Sequence, residues 1–412
     1  MSGWLSGRVN AVAGWVVRRR SNLPAPLRRG LESVLQRDTW IGRLALRSSG
    51  AIEPDPIAVP DAPIRLYLGP ANYAGQAYEW ARSVERQRPD VAARNAAFQL
   101  PEDFDFPADY RVPLTVYAAS AHWQRAQLQS IVGFSHVVIE SFTSLLGNHW
   151  RGSLHDEVED LRSRGLQVAF MCHGTDIRVP SRHRELNSWS PFQDDERTRT
   201  LEETALRNHR LLAELGGTAF ISTPDLFVDL PDATWCPVVV NVDSWTAAAQ
   251  PLLTRERPIV VHIPSAGTVK GTALIMDAMR RLDADGIIEF RTVTGVPHEQ
   301  MPAQYGQADI VLDQFRIGSY GVAACEALAA GRVVLGHVSQ ATRSAVLERT
   351  GREVPIIEAT ADTISDVLLD VVRHPDRHRP MGDAGIDFVR DLHDGRRSAE
   401  AMAGFLALGG RS

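Results

Sequence analysis

The sequence predicts an α/β fold made of two doubly wound parallel-sheet domains behind a basic helical N-terminal extension. Three observations predict it. The chain has 412 residues, too many for one ordinary hydrophobic core. Short apolar runs alternate with stretches of helical period, the βαβ pattern of a parallel sheet. That pattern stops near residue 250 and begins again after Pro251. The organisation read from it is residues 1–60, extension and Pro-rich linker; residues 61–250, first domain; and residues 251–412, second domain.

Composition bounds the function. The hydrophobic fraction of 44% suits a soluble globular protein, and a net charge of −6 argues against nucleic acid as a partner. Cys172, Cys236 and Cys325 lie far apart in apolar surroundings and read as small buried hydrophobes. No paired cysteines or His/Cys cluster suggests zinc, and no metal is expected. The cysteine usage implies no oxidising compartment, so a cytoplasmic location is expected. No apolar run approaches the length of a membrane-spanning helix, and no signal peptide is expected, because the basic residues follow the first apolar stretch.

In the extension, arginines at 8, 18, 19, 20, 28, 29, 37, 43 and 47 face only Glu32 and Asp38. Trp4, Leu5, Val9, Val12, Trp15 and Val16 recur at near-helical spacing. A basic amphipathic helix of this kind can lie on an anionic membrane surface, which makes residues 1–50 a candidate peripheral anchor. A helical hairpin packed on the body uses the same apolar face, so both readings stand. Glu53 to Pro63 is a Pro-rich linker.

The first domain opens with strand Ile64–Leu68, a loop bearing Asn72 and Gly75, and a helix. Such a turn lies at the carboxyl edge of a sheet, where α/β proteins receive ligands. It is not GxGxxG, so no dinucleotide fingerprint is present. Strands are expected at Pro113–Ala118, His136–Glu140, Gln167–Met171, Thr218–Ser222 and Pro237–Val240, with helices at Ser153–Arg164 and Arg197–Leu215. The strand from Gln167 ends in His173-Gly-Thr-Asp176-Ile-Arg178, a polar cluster at a strand's carboxyl end. Asp176 and Arg178 can pair with each other or shape a site at that edge. The polar, aromatic run from Pro180 to Phe192 reads as a surface loop.

In the second domain, strand Ile259–Ile263 leads through a glycine turn to Lys270-Gly271 and a helix from Thr272. A cation at a helix N-terminus opposes the dipole, which fits an anionic ligand between them. No P-loop is present. After strand Ile287–Val293 and helix His298–Gln307 comes the most informative stretch: strand Ala308–Leu312, a loop carrying Gly318-Ser319-Tyr320-Gly321, and a helix ending at Gly331. Free amides at that helix start form a phosphate site. Glu326, among Ala, Cys and Leu, needs a hydrogen-bonding partner if buried. A diphosphate at the helix start and a diol on Glu326 would fit a nucleoside diphosphate. Strands Arg332–Leu335 and Val354–Ile357 follow, then helices 361–373, 376–392 and 396–408.

Tyr320-Gly321-x4-Glu326-Ala327-x-Ala329-x-Gly331, with Ser265-x4-Lys270-Gly271-Thr272 before it, resembles the retaining glycosyltransferases of the group 1 family, which have the GT-B fold. The resemblance implies two Rossmann-like domains facing across a cleft, with the final helix crossing back to the first. It implies transfer of a sugar from a nucleotide-diphosphate-sugar donor to a glycan, lipid-linked or small-molecule acceptor. The anomeric configuration would be retained, with no metal or other cofactor, in cell-surface glycan synthesis. The implied donor-binding positions are Gly75, Ser265, Lys270, Gly318, Ser319, Tyr320, Gly321 and Glu326. The implied catalytic group is His173, Lys270 and Glu326, with His173 reaching the donor sugar. Asn72, Asp176 and Arg178 stand on the acceptor side. The family has an acid where this chain has Gly318 and an arginine where it has Ser265. Asn241-Val-Asp243 matches the family's hinge without its glycine.

Other readings remain open. Asp103-Phe-Asp105 and Asp283-Ala-Asp285 have the Asp-x-Asp spacing of metal-dependent transferases, and both read better as solvated loops. A sugar-nucleotide epimerase shares the architecture. The altered donor contacts also suit a non-catalytic nucleotide-sugar-binding subunit of a glycan assembly complex.

Overall fold

The computed structural model describes residues 51–99, 106–263 and 270–409. The basic extension, Asp103, Asp105 and Ser265 lie outside the described residues. Two compact units make up the chain. The first takes residues up to Ile177, then Arg199–Phe220 and the tail from Ala399; the second takes Arg178–Thr198 and Ile221–Ser398.

The first sheet has seven strands in the order β3-β2-β1-β4-β5-β6-β7. They are β1 (Ile64–Gly69), β2 (Val91–Gln99), β3 (Tyr110–Pro113), β4 (His136–Glu140), β5 (Gln167–Cys172), β6 (Ala219–Ile221) and β7 (Thr234–Trp235). From β3 to β5 every pairing is parallel, with Leu66 opposite His136 and Val138 opposite Ala169. Every residue of β4 is buried, as expected of a parallel strand covered on both faces. His136 lies inside that strand, 2.9 Å from Ser135 Oγ and 3.1 Å from the Leu408 carbonyl, with its ring against Phe405. Burial therefore lowers its proton affinity.

Three sequence expectations need correction here. Pro113–Ala118 is not a strand: only Pro113 ends β3, and Leu114–Ala119 is helical. Among the described residues the last pair of the ladder is Gln99 with Pro113. Pro237–Val240 is also irregular. Its polar groups turn to the chain's last helices instead: the Pro237 carbonyl accepts from Ser398 Oγ, and the Val240 amide donates to the His393 carbonyl. The last strand is Ile357–Glu358, shorter and later than Val354–Ile357. Strand β2 was not expected at all.

The second sheet has five strands in the order β12-β11-β10-β8-β9, all pairings parallel. They are β8 (Ile259–His262), β9 (Glu289–Thr292), β10 (Ile310–Leu312), β11 (Val333–Gly336) and β12 (Ile357–Glu358). β8, β10 and β11 are wholly buried, between one apolar cluster around Tyr320, Ala324 and Phe388 and another around Ile275, Phe315 and Leu368. His262 ties β8 to its neighbours, 2.9 Å from the Leu312 carbonyl and 2.9 Å from Thr272 Oγ1. Serine caps start several helices: Ser120, Ser153 and Ser339 each accept an amide of the first turn. No helix among the described residues is long and apolar enough to cross a membrane.

Candidate functional site

Both sheets reverse strand order, and ligands of open α/β sheets bind at the carboxyl ends flanking such a reversal. In the second sheet the reversal falls between β8 and β10. Lys270 follows β8, and Asp313 follows β10 directly. Lys270 Nζ donates to the Ile263 carbonyl at 3.2 Å and to Asp313 Oδ1 at 3.3 Å. An ammonium carries three N–H groups. Among the described residues two are used, which leaves one for an incoming anion. Gly271, at φ +76°, begins the helix Thr272–Ala284.

Glu326 lies on helix Val322–Ala329 and is 7% exposed. His298 Nε2 stands 2.9 Å from its Oε1. Burial pushes the Glu326 carboxyl up, while the His298 hydrogen bond and the nearby Lys270 charge pull it back. Lys270 and Glu326 thus share one electrostatic neighbourhood, and Asp313 belongs to it.

The loop between β10 and that helix is held by its own unit. Gly318 has φ +73° and accepts at its carbonyl from the Ser339 amide and Thr342 Oγ1. A Cβ there would stand 3.0 Å from Asn187 Nδ2, 3.1 Å from Ser339 Cβ and 3.4 Å from His337 Nε2. The position has no room for the family's acid. Ser319 is buried, its Oγ donating to the Tyr320 carbonyl at 3.4 Å, and Asp225 nearby is bonded by Arg178 at 2.5 Å. The Tyr320 ring is core, its hydroxyl 3.4 Å from His393 Nε2. Its side chain is committed to packing. Gly321 is different: among the described residues nothing lies within 4 Å of where a Cβ would be, and no side chain caps the helix it starts. Open space over uncapped amides is what an anion needs.

The segment read as a surface loop has a specific job. Pro180–Leu186 is helical, His183 Nε2 lies 3.0 Å from the Ile317 carbonyl, and Asn187 Nδ2 donates to the Arg316 carbonyl at 2.8 Å. Both brace the loop that leads to Gly318.

In the first sheet the reversal falls between β1 and β4. Asn72 is fully engaged: its amide donates to Glu140 Oε2, its Nδ2 to the Pro107 carbonyl, and its Oδ1 accepts from Tyr78. Gly75 adopts φ +73° at the start of helix Gln76–Gln87, beside Phe106. His173 is 13% exposed, its ring between Tyr73 and Trp80, with Nε2 3.2 Å from Glu140 Oε1. Asp176 accepts the amides of His173 and Gly174, which fixes the turn carrying the imidazole. Arg178 does not pair with Asp176; its partner is Asp225.

The structure therefore brings Asn72, His173 and Asp176 together in the first unit, and Lys270, Glu326 and the Gly318–Gly321 loop in the second. Sequence reading missed Glu140, Asp313 and His298. Glu140 is wholly buried and accepts the amides of both Ala71 and Asn72. An acid closing an otherwise apolar strand was the signal available. Asp283, one of the Asp-x-Asp pair, bonds Arg257 and the Phe290 amide.

No family model matches the chain, and no curated protein sequence matches it. Solved structures do. Sucrose-phosphate synthase from Thermosynechococcus elongatus matches with a TM-score of 0.53 at 15% identity, over 84% of this chain and 98% of that one. HepE from Anabaena, in complex with UDP and glucose, matches at 0.53 and 11% identity, over 84% and 99%. The catalytic domain of starch synthase IV from Arabidopsis thaliana, bound to ADP and acarbose, matches at 0.52 and 10% identity, over 84% and 99%. The chain has the GT-B fold, the architecture of these glycosyltransferases.

Proposed function

We propose that the protein transfers a sugar from a nucleotide-diphosphate-sugar donor to a glycan, lipid-linked or small-molecule acceptor. The observation that carries this is the strand reversal of the second sheet. There, among the described residues, a lysine with one N–H to spare, uncapped helix amides at Gly321 and a buried carboxylate at Glu326 lie on adjoining elements. A diphosphate needs the first two, and a ribose diol the third. The neighbours of the same fold include proteins crystallised with UDP or ADP.

In the reaction, charge builds on the phosphate oxygen of the departing nucleoside diphosphate. Lys270 and the Gly321 amides stabilise it electrostatically. In the first unit the Asp176 turn fixes His173, which adjoins Glu140. Retention of anomeric configuration and independence of metal are part of the proposal, as is peripheral attachment to an anionic membrane through residues 1–50.

The test is a thermal-shift panel of UDP, ADP, GDP and their sugar conjugates. At least one raises the melting temperature, and Lys270→Ala removes the shift. EDTA leaves both shift and turnover unchanged. If none of these ligands shifts the protein, the proposal fails. Liposome flotation of the full chain and of a chain lacking residues 1–50 tests attachment; equal flotation refutes it.

A further inference from the structure

We infer that His298 is a positioning residue for Glu326, holding its carboxylate in the orientation that receives the ribose hydroxyls. The inference rests on the nucleotide-sugar reading above and adds to it a residue outside the group 1 signature.

The geometry is local. His298 opens a short 3-10 turn, His298–Gln300, that follows Pro297 and precedes helix Met301–Gln307. Its Nε2 lies 2.9 Å from Glu326 Oε1, and its ring stands edge-on to Trp245 at 6.0 Å. Trp245 also packs on Tyr305, one turn along the adjoining helix, so the imidazole is steadied from one side. The two partners differ in exposure, 35% for the His298 side chain and 9% for Glu326. Among the described residues, His298 is the hydrogen-bond donor to the Glu326 carboxylate. A carboxylate with one oxygen pinned presents the other in a fixed direction. A vicinal diol needs that, since both hydroxyls must reach the same group.

The charged and titratable neighbours come from four elements. Lys270 stands at the head of helix Thr272–Ala284, Asp313 follows β10, Tyr305 lies on helix Met301–Gln307, and Cys325 adjoins Glu326 itself. Burial favours the protonated carboxyl; His298 and Lys270 favour the ionised one, and Asp313 opposes them. Without His298 the carboxyl takes a proton at higher pH, and a protonated acid is a poorer acceptor for the diol.

The experiment is isothermal titration of the full chain with UDP, ADP and GDP, each beside its 2′-deoxy form, from pH 5 to 9. The variants are His298→Ala and His298→Gln. At pH 7, His298→Ala is expected to weaken the ribonucleotide 5- to 20-fold and to move the acid limb of affinity up by about one pH unit. The 2′-deoxy form, lacking one hydroxyl, loses less than threefold. His298→Gln restores a neutral donor and recovers most of the affinity. A melting temperature unchanged in both variants confirms that the fold is intact. An equal loss for ribo and deoxy ligands, or an acid limb that does not move, overturns the positioning role while leaving nucleotide binding standing. If no nucleotide binds the wild-type chain, both the functional reading and this inference fall.

Discussion

Gly318 stands where the resembling family has an acid, and placing a side chain there has a calculable cost. The backbone is left-handed at φ +73°, which costs an ordinary residue roughly 1–2 kcal/mol. The Cβ would also press on Asn187 Nδ2 at 3.0 Å and Ser339 Cβ at 3.1 Å. Moving Asn187 weakens its hydrogen bond to the Arg316 carbonyl, about 1 kcal/mol. Gly286 is the natural control. It shares the backbone conformation at φ +72°, lies in the same unit, and has nothing among the described residues within 4 Å of its Cβ position. The stiffening of the unfolded chain is common to both substitutions and cancels in the comparison. Gly286→Ala is therefore expected to cost about 1 kcal/mol, and Gly318→Ala about 2–4 kcal/mol. Gly318→Glu should cost at least as much as Gly318→Ala, with no gain in nucleotide affinity. Urea denaturation followed by tryptophan fluorescence measures all three. Equal costs for the two alanine variants would refute the crowding. A stable Gly318→Glu variant that binds nucleotide more tightly would refute the account of that loop.

Two further predictions concern pH. Burial raises the Glu157 carboxyl to about 7, although Oε1 accepts the Leu145 amide at 2.8 Å. The folded value exceeds the unfolded one, so stability falls as pH rises from about 4.5 to about 7, by up to roughly 3 kcal/mol. Glu157→Gln should flatten that limb in a pH series of denaturation curves; an unchanged limb would show that another group causes it. His393 is the opposite case. Burial lowers it to about 4, with Nδ1 2.8 Å from the Val238 carbonyl. Stability is complete above about 6.5 and falls by about 2–3 kcal/mol as pH approaches 4.5. A His393→Gln chain whose acid limb matches wild type would contradict this.

The sequence made the central strands plain because they are short, apolar and buried on both faces. β4, β5, β8 and β10 all fall where expected. β2 was hidden by its composition, Val-Ala-Ala-Arg-Asn-Ala-Ala-Phe-Gln, which after Val91 has no further β-branched residue to mark a strand. It is a strand because β1 and β3 both pair with it. The reverse happened at 114–119, where Leu-Thr-Val-Tyr looks extended but forms the helix Leu114–Ala119. At the site, Lys270 and Glu326 were visible because each sits in a local pattern of turn and helix start. His298 and Asp313 were not, because their meaning comes from partners 28 and 43 residues away. Asn72 and Asp176 were visible as polar loop residues, but only the fold shows that their hydrogen-bonding capacity holds the loops themselves.

The polypeptide passes between its two units at 177/178, 198/199, 220/221 and 398/399. Neither unit is therefore a contiguous stretch of gene. A single crossover with a related coding sequence would part Phe405 from the His136 and Phe220 rings it packs against, or His183 from the Ile317 carbonyl it braces. Chimeras that exchange one unit would need all four junctions, so recombination should preserve this pair of units as a linked inheritance rather than shuffle them.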